Sequence, residues 1–147
     1  MSLLSTALGD GSIILGATAG NWEEAVRLAG HGLVESGRTT EQYTHDMVAA
    51  VHQLGPYMVI GPGLAMPHTR PSESVLETGM SLVVLQQPVE FGHQRNDPVH
   101  VLFGLAALDH DRHLELLSEF ASLASDPDFV KSLLSCSSTS EIRELIN

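Results

Sequence analysis

The chain has 147 residues, of which 43% are apolar, and it carries 18 acidic against 7 basic side chains. This length and apolar content suit one compact core, so we expect a single domain over residues 1–147. The formal net charge of −11 would repel a phosphate backbone over most of the surface. We therefore expect no nucleic-acid partner.

The sequence gives no sign of export or membrane insertion. Cys136 is the only cysteine, so no disulfide can form within the chain and nothing indicates an oxidising compartment. Residues 1–8 lack the basic region and long apolar run of a secretory signal. The longest nearly apolar segment, 79–85, is far shorter than the ~20 residues that a membrane helix needs. We expect a cytoplasmic protein without direct membrane insertion.

Two helices are predicted in the first third of the chain. Asn21 is followed three residues later by Glu24, which is typical of a capping box, and apolar residues then recur at helical spacing to about Ser36. A similar start signal at Thr39 predicts a second helix that ends before Gly55.

The middle of the chain contains short apolar runs without helical spacing. These runs are bounded by turn residues, as strands covered on both faces would be, and they lie at 57–60, 64–66, 79–85 and 99–107. We expect the runs around Tyr57, Leu82 and Leu102 to be neighbouring strands of one sheet.

The last third is predicted to be helical, which completes an α/β pattern. Asp126-Pro127 and Ser138 are typical helix starts. The first of three helices has a predicted core stripe made of Leu114, Leu117, Phe120, Ala121 and Ala124.

One histidine occupies a distinctive loop. His68 directly follows Pro67, with Gly61-Pro62-Gly63 upstream and Pro71 downstream, so the imidazole is held on a stiff segment. A free imidazole has a pKa of about 6.5 and is largely neutral near pH 7, which leaves a ring lone pair for a phosphoryl group. Spacing alone does not separate this role from that of an ordinary exposed histidine.

Residues 63–68, Gly-Leu-Ala-Met-Pro-His, resemble the active-site signature of the type-two IIA domains of bacterial sugar phosphotransferase systems, the mannitol-fructose family. The resemblance covers the chain from about Asn21 to the C-terminus. It is nearest the ascorbate-like branch, and it extends through further phrases at 55–57, 88–93, 96–99 and 111–114.

The resemblance implies a central mixed sheet flanked by helices on both faces. It also implies that His68 accepts a phosphoryl group from the histidine phosphocarrier protein and passes it to a cysteine of enzyme IIB. That enzyme would serve the membrane enzyme IIC during uptake of an ascorbate-like compound or a polyol. Transfer between phosphorylated residues needs positioning and charge stabilisation, so we expect no cofactor and no metal.

The resemblance assigns further residues to the site. His113 matches the second histidine of the family, and we expect its ring to lie on the order of 4 to 7 Å from that of His68. Many members carry an arginine in the helix before the motif, which segment 47–52 lacks. Arg70 could supply that positive charge, and Thr69, where the family more often has a small residue, could add a hydroxyl donor.

Other interpretations remain open. His110 and His113, beside Asp109 and Asp111, have the spacing of metal ligands on a helix, but no third ligand position is fixed. No Gly-x-Ser-x-Gly motif indicates a hydrolase. His93 lies in a family-like phrase without an assigned chemistry. A regulatory module that signals through the phosphorylation state of the histidine, rather than through transport, is the main alternative function.

Overall fold

The computed structural model describes residues 3–146, and its centre is a five-stranded sheet. The strands are β1 (Leu8–Ala17), β2 (Val59–Gly61), β3 (Leu64–Ala65), β4 (Gly79–Val89) and β5 (Val99–Ala106). Their order across the sheet is β1-β4-β5-β3-β2. The pairs β1/β4 and β3/β5 are parallel, whereas β4/β5 and β2/β3 are antiparallel, so the sheet is mixed as expected.

Helices cover both faces of this sheet, which confirms the expected fold class. They are α1 (Leu3–Ala7), α2 (Trp22–Glu35), α3 (Glu41–Leu54), α4 (His110–Ala124), α5 (Phe129–Leu134) and α6 (Thr139–Ile146). The first apolar core lies between the sheet and the α2/α3 pair. The second core packs the opposite face against α1, α4, α5 and α6. Among the described residues, no helix is long and apolar enough to cross a membrane.

Of the two helices before the motif, α2 starts as its side chains predict and α3 does not. The Asn21 carboxamide oxygen accepts the amide of Glu24 at 2.9 Å, which caps α2, while the Glu24 carboxylate accepts the amide of Gly20 at 2.8 Å. The start of α3 differs from the prediction, because Thr40 is its N-cap residue and makes no side-chain cap bond. Thr39 is instead buried and bridges to Val75.

The strand predictions hold at the centre of the sheet and shift at its edges. Both faces of β4 and β5 are covered, which explains their continuous apolar runs. The predicted end of β4 at residue 85 is too early, because the exposed residues 86–88 continue to Val89, which pairs with Val99. The strand near Tyr57 belongs to the same sheet, but β3 separates it from β5.

No pattern in the sequence predicts α1 or β1. The edge strand β1 pairs parallel to β4, and its regularity is interrupted at Gly11 and Gly16, both of which have positive φ. These interruptions disturb the period-two pattern that identifies a strand.

The predicted core stripe of α4 is rotated relative to the structure. Leu116 and Phe120 are buried, but Leu114 is 50% exposed and Ala121 is also exposed. Leu114 and Ala121, on this outer flank of α4, instead line surface cavities beside His68.

Candidate active site

The histidine loop begins at the carboxyl end of β3. Because β3 and β5 are parallel neighbours, their carboxyl ends meet at the same edge of the sheet, where β5 leads into α4. The amide of Met66 donates to the carbonyl of Met58 at 2.7 Å, and the amide of Leu105 donates to the carbonyl of Pro67 at 2.9 Å. These bonds bring His68 and the first turn of α4 together.

The imidazole of His68 is half-buried and has a defined tautomer. Its Nδ1 lies 2.6 Å from the carbonyl oxygen of Met66. Because a carbonyl oxygen can only accept, Nδ1 must carry the proton in this bond. The lone pair of the neutral ring is then on Nε2, the nitrogen that can act as a nucleophile.

His113 lies beside His68, as the family resemblance implied. The two ring centroids are 5.5 Å apart with an interplanar angle of 57°, within the expected separation. Asp109 caps the helix by accepting the amide of Arg112 at 2.9 Å, which places His113 in the first turn of α4. Partial burial, with smaller contributions from His68 and His110, lowers the pKa of His113 below its ordinary value. The ring is therefore neutral near pH 7 and retains one N–H donor.

A surface cavity of about 410 Å³ lies between these two histidines, and Thr69 and Arg70 line it as well. The Arg70 side chain is exposed, and within residues 3–146 it forms no ion pair or hydrogen bond. The structure thus brings together all four predicted site residues.

The cavity wall supplied by α3 is apolar. Ala50 and Leu54 face the cavity, and no cation from this helix lines it. Across the site, Leu114 and Leu117 of α4 continue the apolar surface. A second cavity of about 410 Å³ lies on the other side of His68 and is lined by Ile60, Phe120 and their neighbours. The His68 ring is therefore surrounded by an exposed apolar rim.

Two tyrosines near His68 were not predicted as site residues. The Tyr57 ring meets the imidazole edge-on with a centroid distance of 5.5 Å, and its hydroxyl donates to the His68 carbonyl at 2.6 Å. The Tyr43 hydroxyl accepts the amide of Thr69 at 3.1 Å. Tyr57 belongs to a family-like phrase, which was a usable signal, whereas Tyr43 looked like any other apolar position of its helix.

The other groups considered from the sequence are a possible metal site, His93 and Cys136, and each has a different environment from His68. No group of three His, Cys, Asp or Glu side chains in the described part of the chain could hold a metal ion. Nδ1 of His93 accepts the amides of Arg95 and Asn96 at 3.2 and 3.1 Å, so this ring stabilises its own loop. Burial raises the pKa of the Cys136 thiol, with a further contribution from Glu141, which disfavours the reactive thiolate.

Comparison with known proteins agrees with this fold. The family model of the phosphoenolpyruvate-dependent sugar phosphotransferase system, EIIA 2, matches residues 7–147. The chain therefore belongs to this family, whose members are phosphotransferases that carry phosphoryl groups in sugar phosphotransfer.

Individual relatives are similar over nearly the whole chain. The ascorbate-specific PTS system EIIA component of Escherichia coli K12 is 40% identical over 148 residues, which cover 100% of this chain and 96% of that protein. The structure of mannitol enzyme IIA in complex with phosphorylated enzyme IIB, from Escherichia coli, is 28% identical with a TM-score of 0.82, over 95% of this chain and 96% of that chain. The nitrogen regulatory protein IIA-Ntr of Neisseria meningitidis is 26% identical with a TM-score of 0.81, over 99% of this chain and 100% of that chain.

Proposed function

We propose that His68 is the residue that carries the phosphoryl group. The observation that supports this assignment is the bond from Nδ1 to the Met66 carbonyl, which leaves the lone pair on Nε2. In the reaction, Nε2 attacks the phosphorus of a phosphohistidine on the donor protein. The N–P bond to the donor breaks, and its electron pair returns to the donor ring, so no proton needs to leave His68 before the attack.

The groups around His68 can stabilise the phosphorylated histidine. Substitution at both ring nitrogens makes the phosphorylated imidazole cationic, and the Met66 carbonyl accepts the Nδ1–H that shares this charge. The phosphoryl oxygens are anionic, and we infer that His113, Thr69 and Arg70 contact them. His113 offers a neutral N–H donor, and Arg70 offers a guanidinium without a competing ion pair among the described residues.

We infer that the donor is the histidine phosphocarrier protein and that the acceptor is a cysteine of enzyme IIB. The mannitol relative is seen in complex with phosphorylated enzyme IIB, which supports a partner of this kind. The apolar rim around His68 suits contact with a protein surface, since it excludes water from the transfer site. Enzyme IIB would then pass the phosphoryl group from its cysteine to a hydroxyl of the carbohydrate that a membrane enzyme IIC transports, and we infer that this relay operates on the cytoplasmic side.

The carbohydrate is proposed to be an ascorbate-like compound. The ascorbate-specific relative is 40% identical over the whole chain, a closer likeness than the 28% of the mannitol enzyme IIA. A polyol is the second candidate of the transport class. The identity of the cognate enzyme IIB decides between them, because the sugar binds elsewhere in the system.

Mass spectrometry after incubation with phosphoenolpyruvate, enzyme I and the phosphocarrier protein tests the assignment of His68. We expect an acid-labile phosphoryl group on the peptide that contains His68, and its complete loss in His68→Ala. His45→Ala is the matched control, because His45 is an exposed helical histidine outside the site. Labelling that persists in His68→Ala would contradict the assignment.

A regulatory function is the second candidate, and the likeness to the nitrogen regulatory protein favours it. Transport predicts that the phosphorylated protein loses its label to the enzyme IIB of an ascorbate-type system within seconds. Regulation predicts a label that persists in that mixture and a partner protein whose binding depends on the phosphorylation state of His68.

A further inference from the structure

The chain has only two tyrosines, and both hydroxyls bind the same peptide group. Tyr57 donates to the carbonyl oxygen of His68 at 2.6 Å. The amide of the next residue, Thr69, donates to the hydroxyl oxygen of Tyr43 at 3.1 Å. The peptide unit that joins His68 to Thr69 is therefore held at its oxygen and at its nitrogen by separate side chains.

Tyr43 links this peptide to the strand that precedes α4. Its hydroxyl lies 2.7 Å from the carbonyl oxygen of Leu105 and 3.2 Å from that of Thr69. A hydroxyl has one proton to donate, and the shorter distance assigns it to Leu105. The hydrogen-bonded path runs from the Thr69 amide through the Tyr43 hydroxyl to Leu105.

Tyr43 remains a donor at any physiological pH. The side chain is 1% exposed, and burial raises its pKa to about 12. The hydroxyl is thus protonated throughout the range in which a phosphohistidine relay works. Its bonds have a fixed direction, because the Thr69 amide can only donate and the Leu105 carbonyl can only accept.

This path fixes the two histidines relative to each other. Leu105 also donates its amide to the carbonyl of Pro67 at 2.9 Å, so it is linked to the main chain on both sides of His68, directly at Pro67 and through the Tyr43 hydroxyl at Thr69. From Leu105 the chain runs through residues 106–109 into α4, which carries His113. The ring separation of 5.5 Å therefore depends on bonds that converge on Leu105 and on one peptide group.

We propose that Tyr43 and Tyr57 are positioning residues for phosphoryl transfer, which hold the His68 main chain so that Nδ1 stays on the Met66 carbonyl and Nε2 faces the phosphoryl donor. This inference rests on the proposed function of His68. Transfer between two proteins requires the reacting atoms to be in line, and small displacements at such a centre can cost about 100-fold in rate.

The test compares Tyr43→Phe and Tyr57→Phe with the unchanged protein and with Ser81→Ala. Phenylalanine keeps both rings in place and removes only the hydroxyls. Ser81 is the matched control, because its buried hydroxyl donates to the carbonyl of Ala29 at 2.7 Å in the α2 core, and it has no place in the site. Each variant is assayed for its melting temperature, for kcat and KM with the phosphorylated phosphocarrier protein, and for the nitrogen-15 chemical shifts of the His68 ring.

We expect both tyrosine variants to lower kcat by about 10- to 100-fold with KM within about twofold of the original. The His68 ring should lose its single Nδ1–H tautomer in both, which the nitrogen-15 shifts report. Ser81→Ala should lower the melting temperature while leaving kcat and the tautomer unchanged. Tyrosine variants that lose stability but keep kcat and the tautomer would show a merely structural role and overturn the proposal.

Chemical labelling separates this inference from the proposed function. Potassium phosphoramidate phosphorylates accessible histidine rings without a protein donor, so the reactivity of His68 can be measured even if the phosphocarrier protein is not the donor. An unchanged protein that labels with phosphoramidate but not with the phosphocarrier would contradict the proposed donor alone. Equal phosphoramidate rates and tautomers in the unchanged protein and in both tyrosine variants would contradict the positioning role alone.

Discussion

Two histidine loops in this protein use the same ring in opposite ways. Nδ1 of His68 donates to a carbonyl oxygen, whereas Nδ1 of His93 accepts two backbone amides. In His68 the lone pair of the neutral ring is on Nε2 and is available for chemistry. In His93 the lone pair is occupied by hydrogen bonds, and the free nitrogen carries a proton. The backbone partner of Nδ1, rather than exposure alone, decides which histidine can be a nucleophile.

The His93 loop also contacts the turn that precedes β3, the strand from which the His68 loop begins. The carboxylate of Asp97 accepts the amides of three consecutive residues, 91–93, and so closes the His93 loop. From this loop the carbonyl of Asn96 accepts the amide of Gly63 at 2.9 Å, at the positive-φ turn that precedes β3. The His93 loop thus supports the turn at which the motif begins, whereas the His68 loop carries the ring that we propose to be phosphorylated.

The largest expected difference between the loops is in phosphoryl labelling. His68→Ala should reduce labelling by phosphoramidate at this site to background, because the nucleophile is gone. His93→Ala should leave labelling unchanged and should instead lower the free energy of unfolding by about 1 kcal/mol, since two amides lose their acceptor. Intact-mass measurements and urea unfolding check the pair. Loss of labelling in His93→Ala without loss of stability would contradict the assignment of a purely stabilising role to His93.

The next largest effect is expected at His113. His113→Ala should leave the melting temperature nearly unchanged and allow some phosphorylation of His68, but slow onward transfer to enzyme IIB by about 10- to 100-fold, because a donor to the phosphoryl oxygens is lost. Rapid-quench measurement of label transfer checks this. Unchanged transfer rates would remove His113 from the mechanism and leave Arg70 as the main partner of the phosphate.

Arginine substitutions in the two loops should change the rate of phosphoryl transfer by smaller factors. Arg70→Gln is expected to slow transfer by about two- to fivefold, since its guanidinium is exposed and screened by solvent. The effect should shrink as salt is raised from low to physiological concentration. Arg95→Gln, in the His93 loop, is the matched control and should have no effect. Equal rates for both variants at low salt would show that Arg70 does not contact the phosphate.

The smallest effect concerns stability and pH. Because the pKa of His113 is lowered in the folded protein, the unfolded chain binds more protons than the folded one between the folded pKa of His113 and about pH 6.5. Stability should therefore fall as the pH drops from about 6.5 through the folded pKa of His113, and it should level off below that value. The difference in unfolding free energy between the original protein and His113→Ala, measured across this range, isolates the effect. A difference that does not change with pH would contradict partial burial of the ring.

The sequence was sufficient for the outline of the fold where apolar runs and helix caps repeat a regular signal. The Asn21 cap, the end of α3 before Gly55 and the buried strands β4 and β5 all follow from local residue choices. The edge strand β1 did not follow, because Gly11 and Gly16 break its pattern and its partner β4 is distant in the chain. Edge strands depend on pairing that a local pattern cannot show.

Some residues of the candidate site could likewise be predicted from the sequence, whereas others could not. Residues 63–68 and the family resemblance predicted His68, His113, Thr69 and Arg70 as site residues, and the structure brings these four residues together around one cavity. The sequence did not identify the tyrosine hydroxyls that bind the His68–Thr69 peptide, since Tyr43 is separated from Thr69 by 26 residues and from Leu105 by 62. Contacts at such separations arise only when the chain has folded.

Taken by itself, the sequence determined the helices and strands with strong local signals, and it indicated the residue types of the proposed phosphoryl site. The tertiary structure decided which ring nitrogen of His68 is free, which face of α4 enters the core, and that the outer flank with Leu114 borders the histidines instead. The physical reason is that helical periodicity shows which positions are apolar but not which of them become buried. The rotation of a helix about its axis, and the carbonyl that accepts a hydrogen bond from a histidine ring, depend on the packing of segments far apart in the chain.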